Sequence, residues 1–174
     1  MKKGIIIALC SLAVLFTACK KPVEPTPEPV DYTADYIGDY LGQFTLTITS
    51  MNNQEQTGMA FPIENIGMEI AKAEQFNVIT ATVTVDNESH QTTGTATEEK
   101  ADFGTVRLVI DKPDQNYYFS LDLKMEGTKA ESDTLNIVGS FMGNGKATFP
   151  TPQGPMEQIF EEVSGTINGK LAKQ

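Results

Sequence analysis

The sequence predicts an all-β domain: an antiparallel barrel of eight or nine strands with one short helix near residues 155–163, or, as the alternative arrangement, a β-sandwich. Three observations predict it. From Asp31 onward apolar residues recur with period two, the runs are separated by clusters of Gly, Asn, Asp and Pro, and most connections are too short for a parallel crossover.

The chain begins with a segment of another kind. Lys2 and Lys3 precede an uncharged apolar run from Ile5 to Phe16, and small residues lead into Cys19. That is the pattern of a secretory signal over residues 1–18. The run holds about a dozen residues where a spanning helix needs roughly 17 or more, so a cleaved leader is expected rather than a permanent span. Leu15-Phe16-Thr17-Ala18-Cys19 resembles a bacterial lipobox, and Phe16 at the third position before the cysteine resembles Bacteroidetes lipoproteins. The resemblance implies cleavage before Cys19 and acylation of its thiol. Cys10 leaves with the leader, so the mature domain is expected to hold no free thiol, disulfide or cysteine ligand.

Residues 19–30 then form a lipidated cysteine and a Pro-rich linker. Pro22, Pro25, Pro27 and Pro29 fix φ and remove backbone donors, which predicts a stiff, solvated spacer. In polyproline II geometry, about 3.1 Å per residue, nine of these residues would hold the domain roughly 28 Å from the lipid. Residues 31–174 are left for a single domain with a sizeable core.

Within that domain Phe44, Leu46 and Ile48 alternate with Thr45, Thr47 and Thr49, and Ile79, Ala81, Val83 and Val85 alternate with threonines. Each reads as a half-buried strand. The alternation recurs in Val106–Ile110, in Tyr117–Met125, in Leu135, Ile137 and Phe141, and in Val163, Ile167 and Leu171, with further strands possible near residues 57–63, 91–98 and 145–149. Turns are expected at Asp86–Ser89, Lys112–Asn116, Glu126–Lys129 and Gly143–Gly145. Met156, Ile159, Phe160 and Val163 break the period, lying at i, i+3, i+4 and i+7 after Pro155, and this spacing predicts the helix. Residues 64–75 fit strand and helix equally.

Tyr36-Ile37-Gly38-Asp39-Tyr40-Leu41-Gly42, leading into a Thr-rich alternating strand after a lipobox and a Pro-rich spacer, resembles the calycin-like β-barrel lipoproteins of Bacteroidetes. The resemblance implies the barrel. Lipocalins, in the same broader group, open with Gly-x-Trp. Here Tyr40 stands in the Trp position, and Arg107, the sole arginine, lies far from the last strand, so retinoid-type or fatty-acid binding is not carried over. An eight-stranded barrel either fills with its own side chains or holds one small ligand. The expected inward aromatics Phe44, Tyr117, Phe119 and Phe141, together with Phe76, are candidates for either role.

Composition argues against most catalytic chemistry. His90 is the only histidine and is read as lying in the polar turn Asp86–Gly94; Glu98-Glu99 and Glu161-Glu162 are adjacent pairs whose side chains diverge. No phosphate loop or calcium loop is present, Gly139, Gly143 and Gly145 read as turn glycines, and no cofactor or metal is expected. The net charge is −10 and becomes more negative once Lys2 and Lys3 leave with the leader, which disfavours nucleic acid as a partner. Asp133-Thr134-Leu135 is similar to the sites at which Bacteroidetes O-glycosylate exported proteins, making Thr134 a candidate acceptor; Asn87-Glu88-Ser89 fits an N-linked sequon of little force in a bacterial chain.

The expected function is a non-catalytic binding or interaction module of the cell envelope, held to the membrane through lipid on Cys19, with a protein, glycan or small apolar molecule as ligand. The alternatives are a structural component of an envelope or surface assembly, and an exported hydrolase working through carboxylates. Lys20-Lys21-Pro22 follows the cysteine, with Glu24 the first acid. Surface-exported relatives are associated with acids there, so the expected location is the periplasmic face of the outer membrane.

Overall fold

The computed structural model describes residues 28–130 and 133–174; the leader, Cys19 and the linker through Pro27 lie outside the described residues. Asp31–Gln174 forms a compact unit. Among the described residues its architecture is a closed antiparallel barrel of eight strands in simple up-and-down order: β1 (Gly38–Met51), β2 (Gln54–Lys72), β3 (Val78–Val85), β4 (Glu88–Ala96), β5 (Ala101–Lys112), β6 (Tyr117–Ala130), β7 (Thr134–Thr151) and β8 (Gly154–Lys173). β8 closes on β1, with Leu46 opposite Ile167 and Tyr40 opposite Lys173. A calycin-like fold is consistent with this ring. A sandwich is not.

The predicted helix at 155–163 is strand, and the reason is a β-bulge. Gly143 pairs with Val163, while two residues on Gly145 pairs with Phe160, so β8 carries one extra residue there. Phe160 and Val163 therefore both face inward at a spacing of three, which imitates a helical period. Asn52, in the left-handed turn between β1 and β2 at φ 49°, holds the bulge: its Oδ1 accepts from the N–H groups of Glu161 and Glu162 at 2.9 and 3.3 Å.

Two predicted turns are also strand. Glu126–Lys129 lies within β6, and Gly143–Gly145 lies within β7, as does Gly139. These glycines serve packing. Phe119 lies across Gly145, Phe141 across Gly165 and Phe44 across Gly169, and a Cβ on any of the three would come within 2.2 to 2.5 Å of the ring. A bare backbone on the neighbouring strand is what lets a phenylalanine ring lie flat inside so narrow a bore. The turns at Asp86-Asn87 and Lys112–Asn116 occur where expected, the latter as a 3-10 turn at Pro113–Gln115. Residues 64–72 of the ambiguous stretch continue β2, and Phe76, expected inward, is 52% exposed in the β2–β3 connection.

The two ends of the barrel differ. At one end the N-terminal segment crosses the bore through a 3-10 turn at Thr33–Asp35, burying Tyr36. The Tyr36 hydroxyl donates to the carbonyl of Thr97 at 3.2 Å, the Tyr40 hydroxyl to that of Tyr36 at 2.9 Å, and the Tyr32 N–H to Asn77 Oδ1 at 2.8 Å. Burial pushes both phenols up, so each stays a donor. Above this plug Phe44, Ile66, Met68, Phe103, Leu123 and Ile137 pack a solid core.

Asp31 anchors the plug, accepting from Lys72 Nζ at 2.5 Å and from the Thr33 N–H and hydroxyl at 3.0 and 2.8 Å. The Lys72 bond first, then the Thr33 bonds, hold its carboxyl down to about 2 from the ordinary 3.8. A carboxyl depressed in the folded state stabilises it above its unfolded pKa and ceases to do so as the pH falls through its folded pKa. Asp31→Asn is accordingly expected to lower the melting temperature near pH 6, with the gap from the parent closing between about pH 4 and pH 2. Parallel melting curves across that range would refute the anchoring role.

The outer face of the ring is mostly polar on β1 and β8, with Thr45, Thr47 and Thr49 on the first and Ser164, Thr166, Asn168 and Lys170 on the second, and apolar side chains such as Leu41, Val138 and Met142 are scattered over it rather than forming a band. With an apolar interior, this is the reverse of a membrane-spanning barrel, whose outer band is apolar. Among the described residues no helix is long and apolar enough to cross a membrane.

Candidate functional site

The end opposite the plug is open, and the upper half of the bore holds a cavity of about 460 Å³. Its floor is set by Leu46, Leu121, Phe141 and Val163, and its walls by Phe61 and Ile63 of β2, Val85 of β3, Ile110 of β5 and Tyr117 and Phe119 of β6. A chain of rings runs along the walls. Phe61 and Tyr117 have centroids 6.4 Å apart, Tyr117 and Phe119 5.9 Å, and Phe119 and Phe160 6.2 Å.

The sequence candidates divide between the two halves. Tyr117, Phe119 and Phe141 line the cavity, whereas Phe44 is fully buried in the packed half and does not reach it. Sequence reasoning missed Phe61, Ile63, Val85 and Ile110 as a group. The alternation Met59, Phe61, Ile63 was their available signal, but the bulge at Glu64-Asn65 ends it: Gly42 pairs with Ile66 and Phe44 with Ile63, so two residues of β1 span three of β2. Asn65 takes φ 58° to make that step.

The cavity is open because its wall is incomplete. β3 pairs with β2 only from Gly67 to Lys72, which leaves residues 54–66 of β2 without a paired strand on that side, and β4 pairs with β5 only at Thr95-Asp102 and Ala96-Ala101. Pro62 lies midway along the free stretch of β2 and has no N–H to offer, which guards the edge against pairing with another strand. Lys112 at the end of β5 binds Asp86 at the β3–β4 turn and ties that short hairpin across the gap. The bond to Asp86 raises the Lys112 pKa. Glu64 and Asn65 complete the polar part of the wall.

Above the rim the β7–β8 hairpin continues past the barrel. Phe149 and Met156 pair across it on the face shared with Ala147 and Phe160, and they are 44% and 53% exposed. The apolar lining thus extends beyond the enclosed volume.

The remaining candidates are dispersed. His90 is on β4 rather than in a turn, opposite Val83, with its side chain 31% exposed, Nε2 4.0 Å from Glu88 and no hydrogen bond on that nitrogen. It does not line the cavity. Thr134 opens β7, half-buried and opposite Ala172, directly after Asp133 at φ 55°. Among the described residues no group of three or more His, Cys, Asp or Glu side chains comes together as a metal site. Cys19 lies outside the described residues.

Fold and site together define a small antiparallel barrel, solid and plugged at one end and hollow, aromatic-lined and open at the other. No family model matches the chain, and no curated protein matches it.

Proposed function

We propose that this chain is an exported lipoprotein of the bacterial envelope, of the calycin-like kind found in Bacteroidetes, whose barrel binds a small apolar ligand without transforming it. The cavity carries the reading. A concave, preformed, mostly apolar space with a few polar groups at its edge is the usual form of a small-molecule site. The leader pattern, the lipobox at Cys19 and the Pro-rich linker support export and tethering, and Lys20-Lys21 supports the periplasmic face of the outer membrane. Glycosylation at Thr134 belongs to the same proposal.

The test uses the mature chain from residue 19, with Cys19→Ser so that neither lipid nor detergent competes, and the neutral apolar dye N-phenyl-1-naphthylamine. Saturable, one-to-one fluorescence enhancement is expected, reduced at least about tenfold in affinity by Val85→Phe, which places a ring in the cavity. A folded Val85→Phe chain binding as well as the parent would refute the site. The second reading, an assembly component, is favoured by Met142 and Ile159, which are exposed on the β7–β8 surface. Self-association without dye binding would support it instead.

A further inference from the structure

Past the β5–β6 turn the β7–β8 hairpin continues as an arm over residues 149–156, and its two faces differ. The outer face carries Lys146 and Glu157, ion-paired at 3.0 Å, and then Pro150 opposite Pro155. The inner face prolongs the lining of the bore. Ala147 lies opposite Tyr117 of β6 and packs on the core, and two residues further along β7 Phe149 lies opposite Met156. Strand alternation therefore sets Phe149 and Met156 on the face of Ala147, Tyr117 and Phe160, yet both are exposed. Exposed apolar side chains are ordinary when scattered singly; these two adjoin, face inward and are continuous with an apolar cavity.

The edges of the arm are closed to another strand. The Thr148 N–H points toward β6 and donates to the carbonyl of Asn116 at 2.8 Å, so Pro150, two residues on, faces the same edge with no N–H to offer. Pro155, opposite it, removes the donor from the other edge. What the arm presents is its inner apolar face. The enclosed bore beneath it is short: from Tyr117 near the rim to Leu121 at the floor, β6 advances about 13 Å by strand rise. We infer that the site has two parts and takes an elongated apolar chain, longer than the bore is deep, with one end on the Leu121 and Phe141 floor and the rest laid along Phe149 and Met156. The inference rests on the binding reading above and adds the ligand's shape. A compact molecule held within the bore would leave the arm uncovered.

Straight-chain alcohols from hexanol to dodecanol, uncharged and differing only in length, separate the possibilities. Each displaces N-phenyl-1-naphthylamine from the mature Cys19→Ser chain, with the dye affinity of every variant measured first. In the parent the competition constant is expected to tighten about fourfold with each added methylene, through to dodecanol. Phe149 and Met156 are exposed, so the double variant Phe149→Ser, Met156→Ser is expected to fold. Hexanol should bind it as it binds the parent, while the gain stops at a shorter chain and dodecanol binds at least about tenfold more weakly. The Met156 methyl resonance is expected to shift on adding dodecanol and not hexanol, and the Val163 methyls to shift with both. The same length dependence in parent and double variant, or an unmoved Met156 methyl, overturns the two-part site while hexanol and dye binding keep the cavity reading intact. A ligand-free dimer in sedimentation that the double variant loses would likewise overturn it, by giving the arm to a second copy of the chain. If the dye itself does not bind, the cavity reading fails and the inference fails with it.

Discussion

Phe44→Ala is expected to destabilise the barrel by about 3–5 kcal/mol, the range for removing a fully buried ring from a core that does not collapse. Phe44 is wholly inaccessible, and its ring lies across Gly169 on β8 at the seam where the barrel closes. Phe119→Ala is expected to cost less, although Phe119 is also an inward ring. One side of it borders the cavity, so fewer contacts are lost on truncation. Chemical denaturation of both variants measures the difference directly. Equal losses would mean that the upper half of the bore is as tightly filled as the lower half. Gly169→Ala probes the same contact from the other strand: its Cβ would lie 2.3 Å from Phe44 Cδ1, so the ring or the strand must shift.

Cys19→Ser is expected to move the chain from the membrane fraction to the soluble fraction altogether, with no change in the melting temperature of the domain. On the proposed lipoprotein reading the acyl chains would supply the anchorage, at about 0.8 kcal/mol per buried CH₂. A serine variant that stayed in the membrane fraction would end the lipoprotein reading. In the parent, protease added to intact cells is expected to spare the domain and protease added to lysed cells to digest it; digestion from outside would move the protein to the cell surface and its ligand to the exterior.

The inward face of each strand was legible in the chain because alternation is a property of consecutive residues. Phe119, Leu121, Leu123 and Met125 are all buried, as their spacing required, and the hairpin turns at Asp86-Asn87 and Pro113–Asn116 were written in residues that accept left-handed φ or preset it. Each error has a physical cause. Met156–Val163 looked helical because a bulge slipped the register of β8 by one residue, and Gly143–Gly145 looked like a turn because a glycine kept bare by the backbone of a neighbouring strand (Gly143) or by a phenylalanine ring (Gly145) and a glycine in a turn are the same letter. His90 was placed in a loop for its polar neighbours, yet those neighbours form the short, half-wet strand β4.

By itself, then, the sequence determined that the domain is all-β, which residues of the regular strands point inward, that no thiol follows Cys19, and that the chain is strongly acidic. Each of these follows from residue type and from spacing along the chain. Only the tertiary structure decided that the strands number eight and close on one another, that the N-terminal segment plugs one end, and that the other end is hollow. Whether Phe44 fills a core or Tyr117 lines a cavity depends on how much volume is supplied by strands that are distant in sequence and by the places where their ladders stop. The bulge at Glu64-Asn65 that ends the alternation of β2 was equally out of reach, because a bulge is a relation between two strands that neither strand carries alone.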